Sequence, residues 1–570
     1  MMSLGGVKAP KDPLKKGKGF TVYKELKIEA TKRADGRRTQ EIYLDGGRIK
    51  NAAEIMAGIK NKEILDCFDT AEGLKKLLTG MGITINAVLD NAPMNFGIIM
   101  YGNTDLYNSG THVYKQILTG GVEQFISFDG IDWSDDDKIL GQFQIEFPDE
   151  LTVADLTVRL YAHDTYDIPE EEADDDIDFA SVQYKKMIEN SLVAAGNNER
   201  FLRAVKKAEA NQDVTIAFIG GSITQGAGAV PTATECYAYK AYKGFVDRFE
   251  KGNGDNIHYV KAGIGGTSSE LGVARYDKDV CQFGAIEPDI VFIEFAVNDE
   301  GDETKGDCYE GLMRKVWNKP YQPAVVLMFS VFSYDWNLQE RFIPMGEAYG
   351  IPMVSVKDAV VPQFALSSEE GRIVSKRQFF YDMFHPTNVG HTIMADCICN
   401  YYDVALKNEL TQDNPNPPII RSADFENVVY FDRKYSCDDV EINEGAFTKE
   451  DTELQFVERD LDDFQTPMFP DNWMRDTTIN SEEPFICKLS CKLLLMLVKD
   501  SASNDIGKAS VKVDGKEVMV YDPHEVGWTH CNAVIVIRED EVKEHIVEIS
   551  MVPGCEKQSF TILGFGYVRD

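Results

Sequence analysis

Between about residue 190 and residue 410, short apolar runs alternate with helix-like stretches, and this alternation limits the possible fold more than any other feature of the chain. The runs are VTIAFIG (214–220), IHYVKAG (257–263), DIVFIEF (289–295), AVVLMFSVF (324–332) and IPMVSV (351–356). They are continuously apolar rather than alternating, as parallel strands covered on both faces are. Helix-like segments separate them at 236–250, near 308–317 and at 338–350, and a last one spans 389–410. The pattern predicts an α/β domain of three layers around a parallel sheet.

The flanks have a different texture. Residues 1 to about 165 carry short alternating or aromatic runs, such as 41–47, 96–102, 123–130 and 156–164, punctuated by turn residues. They predict a β-sandwich with one helical piece near 52–65. The acidic stretch 169–178 reads as a solvated linker. After a proline-rich joint at 413–420, runs at 491–500, 509–522, 532–540, 544–552 and 560–568 predict a second β-sandwich, with a hairpin at VDGKEV. The expected division is 1–185, 186–412 and 413–570.

Among 570 residues, 94 are acidic and 59 basic, a formal charge of −35. Such a surface repels phosphate backbones and anionic lipid, so neither nucleic acid nor a membrane is an expected partner. The eleven cysteines are scattered, and the closest pairs, Cys397/Cys399 and Cys487/Cys491, lack CxxC spacing. No metal or other cofactor is called for, and the thiols point to a reducing compartment. The opening segment has lysines but no apolar core of a secretory signal. The longest apolar runs are too short to span a bilayer. The expectation is a soluble, cytoplasmic protein.

The chemistry concentrates in the middle region. Its first strand runs into Gly220-Gly221-Ser222-Ile223-Thr224-Gln225-Gly226. Sites of open α/β sheets lie at that end of a strand. A phosphate loop would need GxxxxGK[ST] and a lipase-type elbow GxSxG, and neither is present. What remains is a nucleophilic serine on a glycine-lined turn, or an ordinary small-residue turn. A nucleophilic serine needs a base, and the base an orienting group. Of eight histidines, His385 lies just before the last helix with Asp382 three residues earlier, a spacing that puts both on one face of a tight turn. Oxyanion donors are offered by the glycines of 262–269 and by Asn298, which also reads as a turn or cap residue.

The order Ser, Gly, Asn, Asp-His resembles the SGNH, or GDSL-type, hydrolase superfamily over about 190–410. The resemblance implies a flavodoxin-like three-layer domain flanked by β-sandwich-like domains. GGSITQG then carries the nucleophile at Ser222, and DMFHP the triad members Asp382 and His385. The oxyanion hole is implied at Ser222, Gly266 (IGGTSS) and Asn298 (VND). Departures are Gly221 for the usual aspartate, Lys261 for the asparagine that often opens the glycine block, and Ala296 for the glycine two residues before the asparagine. GGSITQGAGA, TECYAY (234–239) and 263–280 resemble bacterial carbohydrate esterases, which remove acetyl groups from glycans.

The negative charge, with Asp299, Glu300, Asp302 and Glu303 beside the asparagine, favours neutral substrates. The loop 332–337 mixes rings with hydrogen-bonding groups, so Tyr334 and Trp336 could face a sugar, or Trp336 could pack under the next helix. The expected partner is a small-molecule or oligosaccharide ester. Other readings are a lysophospholipase or thioesterase of the same superfamily, and a non-catalytic carbohydrate-binding protein.

Overall fold

A computed structural model describes residues 16–33, 36–170, 174–458 and 465–569. The lysine-rich start, read above as lacking a secretory signal, and residues 171–173 of the acidic stretch lie outside the described residues. The chain divides into two compact units. One takes Met1–Asp176 with Ser375–Thr387, the other Ile177–Val374 with Asn388–Asp570.

In the second unit the alternating region builds one six-stranded sheet. Its strands are β1 (Leu192–Ala194), β2 (Val214–Gly220), β3 (Ile257–Gly263), β4 (Ile290–Glu294), β5 (Ala324–Phe329) and β6 (Met353–Ser355). Their order is β1-β6-β5-β4-β2-β3. β2 to β6 pair in parallel, and every residue of β4 and β5 is buried, as their unbroken apolar runs require. β1, a three-residue edge strand antiparallel to β6, was too short to read from sequence. The last run, 351–356, is strand only over Met353–Ser355. There Ser355 accepts the Asp358 N–H and caps a further helix, Val356–Phe364. Because β2 lies between β3 and β4, the chain reverses direction across the sheet at the C-terminal end of β2. Open α/β sheets form a crevice at such a point.

The helix Ser269–Asp279 leaves β3 and is buried at every position from Ser269 to Tyr276, with no solvent face. Two layers cover it. Leu271 and Val273 share one core with Ile219 and Ile293 of the central sheet and with Leu493, Leu495 and Leu563 of the C-terminal strands. Those strands are β7 (Phe485–Asp500), β8 (His530–Met551) and β9 (Thr561–Val568), with β8 and β9 on either side of β7. The runs 532–540 and 544–552, expected as two strands, are the single strand β8. Its exposed charged stretch 538–544 resembles a loop in sequence, yet β7 pairs with β8 on both sides of it, across a register irregularity at Cys491/Leu493. The predicted hairpin forms, with Ala509–Val513 and Lys516–Tyr521 joined at Asp514 and Gly515.

The first unit contains two antiparallel sheets. One holds Lys18–Glu29, Val153–Ala162, Leu78–Asn86 and Gln124–Ser127. The other holds Thr31–Lys32, Arg38–Tyr43, Asp137–Phe147, Pro93–Gly102 and His112–Leu118. Val22, Ile83 and Leu156 of the one share a core with Ile98, Phe143 and Ile145 of the other. The helical piece expected near 52–65 is two helices, Arg48–Ala57 and Lys62–Asp66. Ser375–Thr387 is tied to this unit: Arg377 pairs with Asp174, and Gln378 Nε2 donates to the Asp175 carbonyl at 2.8 Å. Part of the acidic stretch read as a solvated linker is therefore anchored. Eight of the eleven cysteines are buried. Among the described residues no helix is long and apolar enough to cross a membrane.

Candidate active site

Ser222 opens a one-turn helix, Ser222–Gln225, directly after β2, at the point where the strand order reverses. Its carbonyl accepts from the Gly226 and Ala227 N–H groups, which closes the turn. Gly221 explains one departure from the family pattern. A Cβ there would stand 2.2 Å from Asn298 Oδ1, so the Asn298 amide approaches the nucleophile turn only because residue 221 lacks a side chain. Asn298 Oδ1 is buried with no hydrogen-bond partner among the described residues. On the other side of the turn, Gly265 lies close enough that a Cβ on it would sit 3.7 Å from Ser222 Cβ. Gly266 follows at φ +74°, a left-handed conformation that favours glycine. The structure thus brings Ser222, Gly266 and Asn298 to one end of β2, β3 and β4. Arg275, fully buried, ties the first two of these ends together: its guanidinium donates to Gly220 O at 3.0 Å and to Ala262 O at 2.8 Å.

Beneath the turn sits a carboxyl group that sequence reading passed over. Glu294, the last residue of β4, is fully buried and accepts from Thr224 Oγ1 at 3.0 Å. Burial pushes its pKa up to about 7. A raised carboxyl pKa means that the folded state holds its proton where the unfolded chain has released it. Stability then falls as pH rises from the ordinary glutamate value, about 4.3, through about 7. Glu294→Gln is expected to lose less stability than the wild type between pH 5 and pH 8, by about 2–3 kcal/mol in urea unfolding. Equal losses in the two proteins would show that Glu294 is ionised throughout.

Asp382 and His385 belong to the other unit, in Ser375–Thr387. A tight turn, closed by the Tyr381 N–H donating to the His385 carbonyl at 3.0 Å, brings them together. His385 Nδ1 lies 2.9 Å from Asp382 Oδ2. Asp382 Oδ1 accepts the backbone N–H groups of Phe384 and His385, both at 2.7 Å. Burial alone would raise the Asp382 pKa. The His385 ring and the two N–H groups outweigh it and hold the carboxyl below its usual range. The ring of Tyr381 stacks on His385 at 5.7 Å, and Arg48 lies over Phe384 at 5.2 Å.

His391, inside the helix Asn388–Lys407, is buried. Its Nδ1 accepts the Tyr237 N–H at 3.2 Å and its Nε2 faces the Ala227 carbonyl at 3.0 Å, a packing role. His258, the second residue of β3, faces Asp213 at 3.0 Å. The loop 332–337 folds on itself, with the Phe332 N–H donating to the Trp336 carbonyl at 3.1 Å and the rings of Tyr334 and Trp336 6.0 Å apart. It lies beside the Asn298 segment, because the Leu338 N–H donates to the Ala296 carbonyl at 2.8 Å. Burial, with a smaller push from the Glu300 charge, raises the Tyr334 hydroxyl to about 12. Among the described residues no cluster of three or more His, Cys, Asp or Glu is placed to hold a metal ion.

His530, Gln455 and Trp528, all in the 413–570 region, carry no sequence motif that marks them as part of a site. All three reach the glycine block. His530 Nε2 lies 3.0 Å from the Gly266 carbonyl, Gln455 Nε2 donates to the Gly265 carbonyl at 2.8 Å, and Trp528 lies against Gly266. No local motif announces contacts over 264 and 190 residues of chain.

Residues 218–393 match the model of the GDSL-like lipase/acylhydrolase family, a span that includes all five residues named above for the triad and oxyanion hole. No curated protein matches the chain. Among solved structures, a two-domain esterase (CEX) active on acetylated mannans, co-crystallized with mannopentaose, is 27% identical with a TM-score of 0.55. The match covers 67% of this chain and 98% of that one. A second structure of a two-domain esterase (CEX) active on acetylated mannans is 26% identical, with a TM-score of 0.54 and the same coverage. Residues 218–393 form a GDSL-like lipase/acylhydrolase domain, and the chain built around it is a carboxylic ester hydrolase that resembles carbohydrate esterases.

Proposed function

We propose that the protein removes short acyl groups, acetyl above all, from carbohydrate hydroxyls by a Ser-His-Asp mechanism. The observation that carries the reading is Ser222 at the switch point of the sheet, flanked by the Asn298 amide and by a Gly266 N–H that donates to no described group. Ser222 Oγ attacks the ester carbonyl while His385 Nε2 takes its proton. Asp382, accepting from Nδ1, holds the tautomer that leaves Nε2 free to accept. The oxyanion forms among the N–H groups of Ser222 and Gly266 and the Asn298 amide nitrogen. Collapse expels the sugar alkoxide, which takes the proton back from His385. Water then repeats the cycle on the acyl-enzyme and releases acetate.

Support for a sugar ester comes from the solved esterase active on acetylated mannans and from the formal charge of −35, which disfavours anionic substrates. Tyr334 and Trp336 would face the sugar, with the 186–412 region as catalytic domain between β-sandwich-like parts at 1–185 and 413–570. The test is acetate release from acetylated mannan, xylan and chitin oligomers, beside 4-nitrophenyl esters from acetate to octanoate. Release from a glycan together with a preference for acetate is expected. A preference for octanoate with no release from any glycan would move the protein to the lysophospholipase or thioesterase reading. No hydrolysis of any ester would leave a carbohydrate-binding protein.

A further inference from the structure

The Gly265 carbonyl and the Gly266 N–H belong to one peptide group, and in a trans peptide they point in opposite directions. Whatever holds the carbonyl therefore aims the N–H. Gln455 holds it: Nε2 donates to Gly265 O at 2.8 Å, and Oε1 accepts the Cys531 N–H at 2.9 Å, so the amide is fixed at both ends. Gln455 is only 8% exposed. The next peptide is held from the same strand end, where His530 Nε2 lies 3.0 Å from Gly266 O and Nδ1 lies 2.8 Å from Asp500 Oδ2. The Gly265 N–H donates to Gln225 Oε1 at 2.9 Å. Trp528 closes the face of Gly266, where a Cβ would come within 2.9 Å of the indole. Of the backbone polar groups of Gly265 and Gly266, only the Gly266 N–H donates to nothing among the described residues.

We propose that Gln455, a residue of the C-terminal β region, is a positioning residue for ester hydrolysis: it fixes and polarises the peptide whose N–H, at Gly266, receives the oxyanion. A hydrogen bond to a carbonyl strengthens the N–H across the same amide as a donor. This rests on the oxyanion role given to Gly266 above. The contribution is made only when charge develops on the substrate oxygen, so it belongs to kcat rather than to KM.

The test uses the full chain with 4-nitrophenyl acetate and two variants. Gln455→Met keeps the length and removes the donor. Gln455→Glu keeps an acceptor for the Cys531 N–H and turns a carboxylate oxygen toward Gly265 O. kcat is expected to fall about tenfold in the first and about 10–100-fold in the second, with KM within about twofold in both. Should Gln455→Met lose the thermal transition of the wild type, Gln455→Glu carries the comparison. Either variant folded with kcat within twofold of wild type, or with KM raised and kcat unchanged, overturns the inference. Labelling by a fluorophosphonate, located by peptide mass, separates this from the underlying reading. A label away from Ser222 in the wild type removes the catalytic assignment itself. A label on Ser222 at the same rate in wild type and variants removes only the role of Gln455.

Discussion

Ser222→Ala is expected to lower kcat for 4-nitrophenyl acetate by about 10⁴–10⁶-fold, the cost of losing the nucleophile of a serine hydrolase. The fold has little reason to change. The turn is closed by backbone bonds, in which Gly226 and Ala227 donate to the carbonyl of residue 222, and alanine keeps them. The helix Ser222–Gln225 also keeps Thr224, whose hydroxyl reaches Glu294 and Tyr237. The thermal midpoint should therefore stay close to that of the wild type while turnover disappears. A residual rate above water would come from the oxyanion donors and binding alone. Activity within tenfold of wild type in a pure preparation, free of contaminating esterase, would remove Ser222 from the mechanism.

What sequence could supply of the proposed triad and oxyanion residues is what is encoded within a few residues. Asp382 and His385 are three apart, and one turn joins them. Ser222 follows an unbroken apolar run that could only be a buried strand, so its place at a strand end was legible before any coordinates. The glycine block and Asn298 follow their strands in the same way. What escaped has a physical reason in each case. β1 is three residues long and pairs only at the edge. β8 is interrupted by seven exposed residues that carry the polarity of a loop, and it continues as one strand because β7 pairs with it on both sides, from His530 to Arg538 and from Lys543 to Ile549. The helix Ser269–Asp279 has buried side chains around its whole circumference because a second sheet covers it, and that sheet comes from more than 200 residues later in the chain. The same packing delivers Gln455, Trp528 and His530 to the glycine block. Their role follows from tertiary placement, and no spacing rule along the chain could encode it. Glu294 looked like one polar residue at the end of an apolar strand, and only its burial beneath the nucleophile turn separates it from a surface glutamate.

Asp382→Asn is expected to cost about 10³–10⁴-fold in kcat, close to the cost of His385→Ala, although it changes one atom. The geometry decides between a mild and a severe effect. Asp382 Oδ1 is committed to the N–H groups of Phe384 and His385 at 2.7 Å, and an asparagine keeps those bonds by leaving its oxygen there. Its nitrogen then occupies the place of Oδ2, 2.9 Å from His385 Nδ1, and donates where the carboxylate accepted. A donor facing Nδ1 selects the tautomer with its proton on Nε2. That tautomer cannot accept the Ser222 proton. The variant also loses the negative charge that stabilises the imidazolium formed during attack. Because the turn survives, the loss should appear in kcat with the thermal midpoint nearly unchanged. Measurement of kcat and of unfolding on the same preparation distinguishes this from simple collapse of the 375–387 segment. A fall of less than tenfold in a folded variant would mean that the Asp382 carboxylate does not set the state of His385, and the orienting group would have to be sought elsewhere around the ring.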